Sequence, residues 1–196
     1  MKIIEPSVEL IDEINPEQIL AKLERCGRVS RKSELGKAEQ FVRSIIKRGH
    51  ESVLEHVQLT FHIVCDRAIM AELTRHRHAS FTVESTRYIK YDELTVISPF
   101  KNDVVGDSFL FADISIAEKE YRDWFQSGAT PEQARAVLPL CLATELYMTA
   151  NLRELRHILK LRTDKAAHPQ MRFVAGQILE ILRDKLPVIV EDINPC

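Results

Sequence analysis

The sequence predicts an α+β fold: a small, mostly antiparallel sheet carried by a majority of helix. Three observations predict it. Residues 57–63 alternate strictly between apolar and polar, as a half-buried strand requires. Elsewhere, apolar residues recur at helical spacing between recognisable start and stop signals. The composition, 45% apolar and 29% charged over 196 residues, is that of a chain able to bury a core without disulfide or metal staples. With no repeat, low-complexity tract or linker along it, residues 1–196 are expected to form a single domain.

Lys2 to Glu5 reads as a short strand. Asn15 and Pro16 offer a cap and a first-turn proline for a helix expected to reach about Cys26 and close at Gly27. Ala38, Phe41, Val42, Ile45 and Ile46 form the stripe of a second helix, stopped by Gly49. In the strand that follows, Val57, Leu59, Phe61 and Ile63 share one face. Asp66 can cap a short helix reaching about His76, after which Phe81–Tyr88 and Leu94–Ser98 have the β-branched and aromatic content of strands. From Asp107 the period is helical to Gly128, and Thr130-Pro131-Glu132-Gln133 is a capping box with proline in the first turn. Pro139 is expected to bend or restart a long helix toward Arg162. A last helix starts near Pro169, carries Val174, Ala175, Ile178, Leu179 and Leu182 inward, and ends before Pro187.

Charge and cysteine usage narrow the function classes. Lys and Arg number 27 against 29 Asp and Glu, a net charge of −2 that gives no electrostatic reason for duplex nucleic acid or an anionic membrane as partner. Cys26, Cys65, Cys141 and Cys196 are scattered, so neither a zinc knuckle nor a disulfide framework is written into their spacing. The opening Met-Lys-Ile-Ile-Glu-Pro breaks any signal-like apolar run, and no stretch has the length of a membrane span. A soluble, cytoplasmic protein is expected. The six glycines compose neither G-x-G-x-x-G nor a phosphate loop, so a Rossmann mode of cofactor binding has no support.

The densest polar cluster runs from Arg75 to Tyr88. One reading makes Arg75–His78 the cationic last turn of a helix, followed by an ordinary polar strand. The other makes the segment a nucleotide site, in which guanidiniums hold phosphate or pyrimidine carbonyls through paired N–H donors. On a strand, Ser80, Thr82, Glu84 and Thr86 would share one face and Ser85 and Arg87 the other.

The string Arg75-His76-Arg77, then Ser85, then Arg87-Tyr88 resembles the signature of flavin-dependent thymidylate synthases. Further segments resemble family segments in the same order: Arg28-Val29-Ser30, Lys47 to Glu51 leading into Glu55-His56, Ala134 to Pro139, Asn151-Leu152-Arg153 and Leu161-Arg162. The resemblance implies that family's fold and the reductive methylation of dUMP to dTMP. It also implies FAD as cofactor, NADPH as reductant, 5,10-methylenetetrahydrofolate as one-carbon donor, and a homotetramer whose active sites are shared between subunits.

Carried over by position, the resemblance assigns Ser52, Arg75, His76, Arg77, Val83, Asn151, Arg153 and His157 to FAD. It assigns Glu72, Arg75, Val83, Glu84, Ser85, Thr86, Arg87, Arg135 and Arg162 to dUMP, the Val83–Arg87 segment reaching a neighbouring subunit's site. Arg162 matches the arginine thought to stabilise ionised dUMP. Uracil C5 is a poor nucleophile, and a guanidinium beside the ring stabilises the charge that makes it attack a one-carbon unit. No cysteine nucleophile is required, and Ser85, with no base written beside it, reads as a hydrogen-bonding residue.

Some positions depart from the family's common form: Glu72 stands where many members carry Gln, Thr82-Val83 replaces a more polar pair, His157 replaces an Asn, and Ala166 falls where some carry His. A carboxylate at Glu72 would repel a phosphate unless it faces the pyrimidine or an arginine. A same-fold flavoenzyme acting on another pyrimidine nucleotide therefore remains an alternative, as does a non-catalytic nucleotide or single-stranded RNA binder stacking bases on Phe81, Tyr88 and Tyr91. The pairs His50-Glu51 and Glu55-His56 do not match zinc spacing, and no metal is expected. Stacking or buried roles are expected for His56 and His62.

Overall fold

Asn15 opens α1 (Pro16–Arg28) in the computed structural model, which describes residues 1–30, 32–100 and 104–195. The Asn15 side-chain oxygen accepts from the Gln18 amide at 3.0 Å, with Pro16 in the first turn as its fixed φ favours. The helix does not stop at Gly27. A Cβ there would lie 2.4 Å from the tip of the Phe41 ring, so this glycine serves close helix packing, not termination. α2 (Ala38–Lys47) follows, and Gly49 ends it with a φ of +72° that glycine adopts without strain.

A 3-10 helix (Glu51–His56) leads into β3 (Gln58–Asp66), which buries Leu59, Phe61, Ile63 and Cys65 on one face. β1 (Lys2–Ile3) and β2 (Ser7–Leu10) precede α1. Asp66 caps α3 (Arg67–Leu73), accepting from the Ile69 amide at 2.7 Å. α3 ends at Leu73, before the basic cluster. Arg75–His78 are thus a turn and not a cationic last helical turn, and β4 (Ala79–Val83) begins directly after them.

β4 stops at Val83, short of the expected Tyr88. Ser85 turns the chain: its carbonyl accepts from the amides of Tyr88 and Ile89 at 3.1 Å, and its hydroxyl from the Arg87 amide at 3.4 Å. The expected two-faced strand edge through Thr86 and Arg87 is therefore replaced by a turn. β5 shrinks to Thr95–Val96. α4 (Val104–Gln126) runs to the Gly128 stop, and α5 (Pro131–Ala134) carries the full reciprocal capping box of Thr130 and Gln133.

The largest correction falls between Pro139 and Asn151. No helix restarts there; Pro139 O accepts from Leu142 N in a tight turn, and β6 (Ala143–Asn151) follows with Thr144, Leu146, Met148 and Ala150 buried alternately. β6 passes without a loop into α6 (Leu152–Arg162). α7 (Pro169–Lys185) and α8 (Pro187–Val190) end the fold.

The strand order is β2-β3-β6-β4 in one sheet, while β1 and β5 form a separate parallel pair with Lys2 opposite Thr95. β3 and β6 run antiparallel: the Thr60 and Thr149 hydroxyls meet at 3.0 Å, and Arg67 N donates to Leu142 O at 3.1 Å. The whole is a mostly helical α+β arrangement around a small antiparallel sheet, as expected.

Two compact units, each discontinuous in sequence, make up the chain: Met1–Ser7, Ile63–Arg75 and Thr82–Leu146 in one; Val8–His62, His76–Phe81 and Tyr147–Cys196 in the other. In the first, Leu94, Val96, Ile114 and Leu142 form a core under α4. In the second, α6 packs on α7, α8 and the 3-10 helix, and α1 on α2, closing over Leu23, Val42, Leu155, Ile158, Ile178 and Leu182.

Candidate functional site

In the second unit, the start of α6 borders a cavity of about 570 Å³, within the size range of small-molecule sites. Asn151, Arg153, Glu154, His157 and Lys160 line it from the β6–α6 junction and α6, with His78 from the turn before β4. The helical period brings them together, since residues three and four apart share a face. Asn151 starts the helix as well: its side-chain oxygen accepts from the Glu154 amide at 2.9 Å.

Glu51 and Glu55 add negative charge to the same cavity, and each meets a cation. Glu55 pairs with Arg153; Glu51 accepts from Arg156 at 3.0 Å and lies 3.7 Å from Lys160. Arg153, Lys160, the Asn151 amide and two imidazoles supply N–H donors of the kind that hold a phosphate-bearing ligand. The donor set therefore fits a diphosphate cofactor held by side chains, with no glycine loop needed. Ser52, on the 3-10 helix, and Arg77 are exposed in the same unit.

His76 lies deeper than its neighbours. It is only 6% exposed, while Arg75 and Arg77 on either side face solvent. Its Nε2 accepts from Arg162 Nε at 3.0 Å, its Nδ1 lies 3.4 Å from Glu154 Oε1, and the His157 ring stands edge-on at 5.9 Å. Burial, and next the Arg162 charge, lower the His76 pKa against the opposing pull of Glu154, so the imidazole is held neutral.

The first unit holds the other expected nucleotide residues: Glu72, Val83, Glu84, Ser85, Thr86, Arg87 and Arg135. Arg75 also belongs to it, at the boundary. Glu84 is fixed twice, its amide donating to Glu145 O at 2.9 Å and its carboxylate accepting from the Tyr91 hydroxyl. Burial and the Glu84 charge raise the Tyr91 pKa, so Tyr91 remains a donor. Thr86 is buried. Arg87 stacks its guanidinium 5.2 Å above the Tyr88 ring and lies 3.7 Å from Glu132. Arg135 is exposed at the start of a 3-10 turn (Arg135–Val137) behind the α5 capping box. Of the three aromatics suited to base stacking, Tyr91 is engaged with Glu84 and Tyr121, while Tyr88 is exposed.

Spacing alone did not reveal His78, Glu154 or Lys160. The signal was present in the i, i+3 series Asn151, Glu154, His157, Lys160, and it becomes usable only once the helix is known to start at Leu152. Burial pushes the Cys65 thiol up to about 12 and raises the half-buried Cys141 thiol as well, which disfavours the thiolate that a nucleophile needs. Cys196 lies outside the described residues. His62 packs on Tyr147 with ring centroids 5.0 Å apart, and His56 is exposed. Among the described residues no three His, Cys, Asp or Glu side chains converge as metal ligands. Among the same residues no helix is long and apolar enough to cross a membrane.

The fold is that of a nucleotide methylase. The crystal structure of a UMP/dUMP methylase, PolB from Streptomyces cacaoi, bound with 5-Br dUMP, matches with a TM-score of 0.83 over 97% of this chain and 96% of that one, at 26% identity. The chain belongs to the flavin-dependent thymidylate synthase family: the family profile described as "Thymidylate synthase complementing protein" matches residues 9–188. A probable flavin-dependent thymidylate synthase of Mycobacterium phage D29 is 35% identical over 168 residues, 78% of this chain and 72% of that protein. The flavin-dependent thymidylate synthase of Pyrococcus abyssi is 33% identical over 194 residues, 94% of this chain and 72% of its relative. The chain is accordingly an FAD-using enzyme that reductively methylates dUMP to dTMP, with small-molecule substrates of the nucleotide and folate classes.

Proposed function

We propose that 5,10-methylenetetrahydrofolate supplies the carbon and NADPH the reducing equivalents for this methylation, and that the cavity at the start of α6 receives FAD. The observation that carries the cofactor assignment is the convergence of Asn151, Arg153, His157 and Lys160 on one cavity. When bound and reduced, FAD supplies the hydride that completes the methyl group. Arg153 and Lys160 hold its phosphates, while Ser52, Arg77, Asn151 and His157 of the same unit orient it; the family resemblance adds Arg75, His76 and Val83 to the flavin contacts.

On the nucleotide side, Arg87 and Arg135 hold phosphate, Ser85 and Thr86 donate from the turn, and Glu84, kept in place by Tyr91, reads the pyrimidine edge. Glu72 faces the base or an arginine. Arg162 stabilises the electron density that ionised dUMP places on its ring carbonyls, which raises the nucleophilicity of C5. The protein works in the cytoplasm as a homotetramer, with the Val83–Arg87 segment serving the site of a neighbouring subunit and residues 1–196 acting as one functional domain. Free thiols at Cys26, Cys65 and Cys141 agree with a reducing compartment.

The test is to incubate the purified protein with FAD, NADPH, methylenetetrahydrofolate and dUMP, with UMP in a parallel reaction. dTMP formation that needs all four components is the expected result; methylation of UMP in preference to dUMP would move the assignment to the ribonucleotide named for the Streptomyces protein. Arg162→Ala should abolish turnover while flavin absorbance persists. Undiminished dTMP formation by that variant would remove Arg162 from its role.

A further inference from the structure

We propose that Glu154 and His76 are positioning residues for Arg162, forming a line from carboxylate to imidazole to guanidinium that sets the plane in which Arg162 meets the pyrimidine. The proposal rests on the reading of Arg162 as the residue that stabilises ionised dUMP.

A guanidinium has five N–H donors and no acceptor. Arg162 Nε, 3.0 Å from His76 Nε2, must therefore be the donor, and His76 Nε2 must carry a lone pair. That condition excludes imidazolium and leaves one neutral form, with the proton on Nδ1. On the other side of the ring stands Glu154, whose carboxylate oxygen faces Nδ1 as an acceptor. At 3.4 Å from Nδ1 the contact is longer than a short N–H···O bond of about 2.9 Å, yet its charge favours the proton on that nitrogen. Both partners thus select one tautomer.

The surroundings reinforce this. His76 is 6% exposed and Glu154 8%, so water competes little for either. The charged and titratable groups facing the ring are Arg162, Glu154 and His157, all from α6. Glu154 and Arg162 stand eight residues apart on that helix, about two turns, and so share its face. His76 comes from the turn after α3 and spans the distance between them.

Pinning the Nε hydrogen has a consequence for substrate contact. A hydrogen bond from Arg162 to dUMP is then left to the terminal nitrogens, and the His76 contact constrains their plane. A carboxylate behind an imidazole also makes the far nitrogen a better acceptor, as it does for a metal-bound or catalytic histidine. Glu154 would thus hold Arg162 without touching substrate, and its negative charge would offset part of the guanidinium charge once dUMP is absent.

The test compares His76→Leu, His76→Gln, Glu154→Gln and Arg162→Ala for kcat, dUMP affinity and FAD affinity. The expected loss of kcat in His76→Leu is about 100-fold, the scale on which misplacing a reacting group by about 1 Å acts, with dUMP affinity changed less than about fivefold. Glutamine can accept from Arg162 with its oxygen and donate toward Glu154 with its amide, so His76→Gln should recover at least about tenfold of that loss. Glu154→Gln removes the charge and keeps the shape, and should fall between. Nitrogen-15 spectra of the histidines should show His76 neutral and protonated on Nδ1 in the parent, with a larger share of the other tautomer in Glu154→Gln.

A His76→Leu variant within about threefold of parental kcat would overturn the proposal, as would an equal loss in His76→Gln, or a loss abolished by saturating FAD. If His76→Leu does not fold, the tautomer in the parent and the Glu154→Gln kinetics decide: protonation on Nε2 overturns the proposal. Arg162→Ala separates the two levels. Full activity there sinks the role of Arg162, whereas loss in Arg162→Ala with an active His76→Leu sinks only the positioning line.

Discussion

Arg156 and Asp192 form a two-pronged ion pair, Nη1 to Oδ1 at 2.6 Å and Nη2 to Oδ2 at 2.8 Å, with Arg156 only 1% exposed. The same guanidinium donates to Ile189 O and to Glu51. Every direction of the fork is used, which is what allows a charge to sit this deep. The pair ties α6 to the turn after α8 and to the head of the 3-10 helix, and so holds the wall on which the cavity residues stand.

Arg156→Met keeps the stem but strips the donors from Ile189 O, Glu51 and Asp192. The expected cost is about 1–3 kcal/mol, because Ile189 O and Glu51 lose their donor while Asp192, 43% exposed, is rehydrated. A urea titration should show a lower midpoint at unchanged slope. A variant as stable as the parent would show that the clamp contributes nothing.

Asp192 gives the clamp a pH dependence. The bond from Arg156, assisted by Arg156 and Lys160 charge, holds its carboxyl below the usual carboxylate range against the effect of burial. The unfolded chain then takes up the proton first as pH falls, so the contribution is full above about pH 4 and disappears toward the lower folded pKa. Stability measured from pH 6 to pH 2 should thus fall more steeply in the parent than in Asp192→Asn. Parallel curves would mean that another carboxylate governs acid unfolding.

Thymidylate formation should survive loss of the thiols. Cys65 is fully buried with its thiol pushed up to about 12, and Cys141 is shifted the same way. The triple change Cys26→Ala, Cys65→Ala, Cys141→Ala should keep kcat within about threefold. Filling no cavity at position 65, it should cost roughly 1 kcal/mol of stability. Loss of turnover in a folded, FAD-loaded triple variant would point to a thiol in the reaction.

Tyr91→Phe removes only the hydroxyl that Glu84 accepts from. A hydrogen bond to a charged group of this kind amounts to about 1.5–3 kcal/mol, so dUMP KM should rise at least roughly tenfold. FAD binding should change far less than dUMP binding, since neither Tyr91 nor Glu84 lines the cavity. An unchanged KM would separate Glu84 from nucleotide binding.

How far the chain could be read in advance depended on whether local chemistry had rivals. Asn15, Asp66 and Thr130 cap as their side chains dictate, and Leu59, Phe61 and Ile63 alternate as a strand must. β6 was missed because Ala143, Glu145, Leu146, Met148 and Ala150 are strong helix formers. Burial on one face against β3 overrides that preference, a tertiary effect invisible in the local string. Gly27 misled in the same way, since its need is the Phe41 ring fourteen residues on. Of the residues expected from the family resemblance, Asn151, Arg153 and His157 line the cavity, while Glu154 was hidden because a charged residue on a helix ordinarily faces water.

The direct passage of β6 into α6 bears on how this protein can vary. Asn151 is at once the end of a strand, the cap of a helix and a wall of the cavity, so the register of everything to Arg162 is set at that residue. Inserting one amino acid between them would swing each later side chain by about 100° around the helix axis and advance it by about 1.5 Å. The stretch therefore tolerates substitution but not insertion: the letters between Asn151 and Arg162 can be exchanged, while the eleven steps that separate them cannot change without turning the cavity wall.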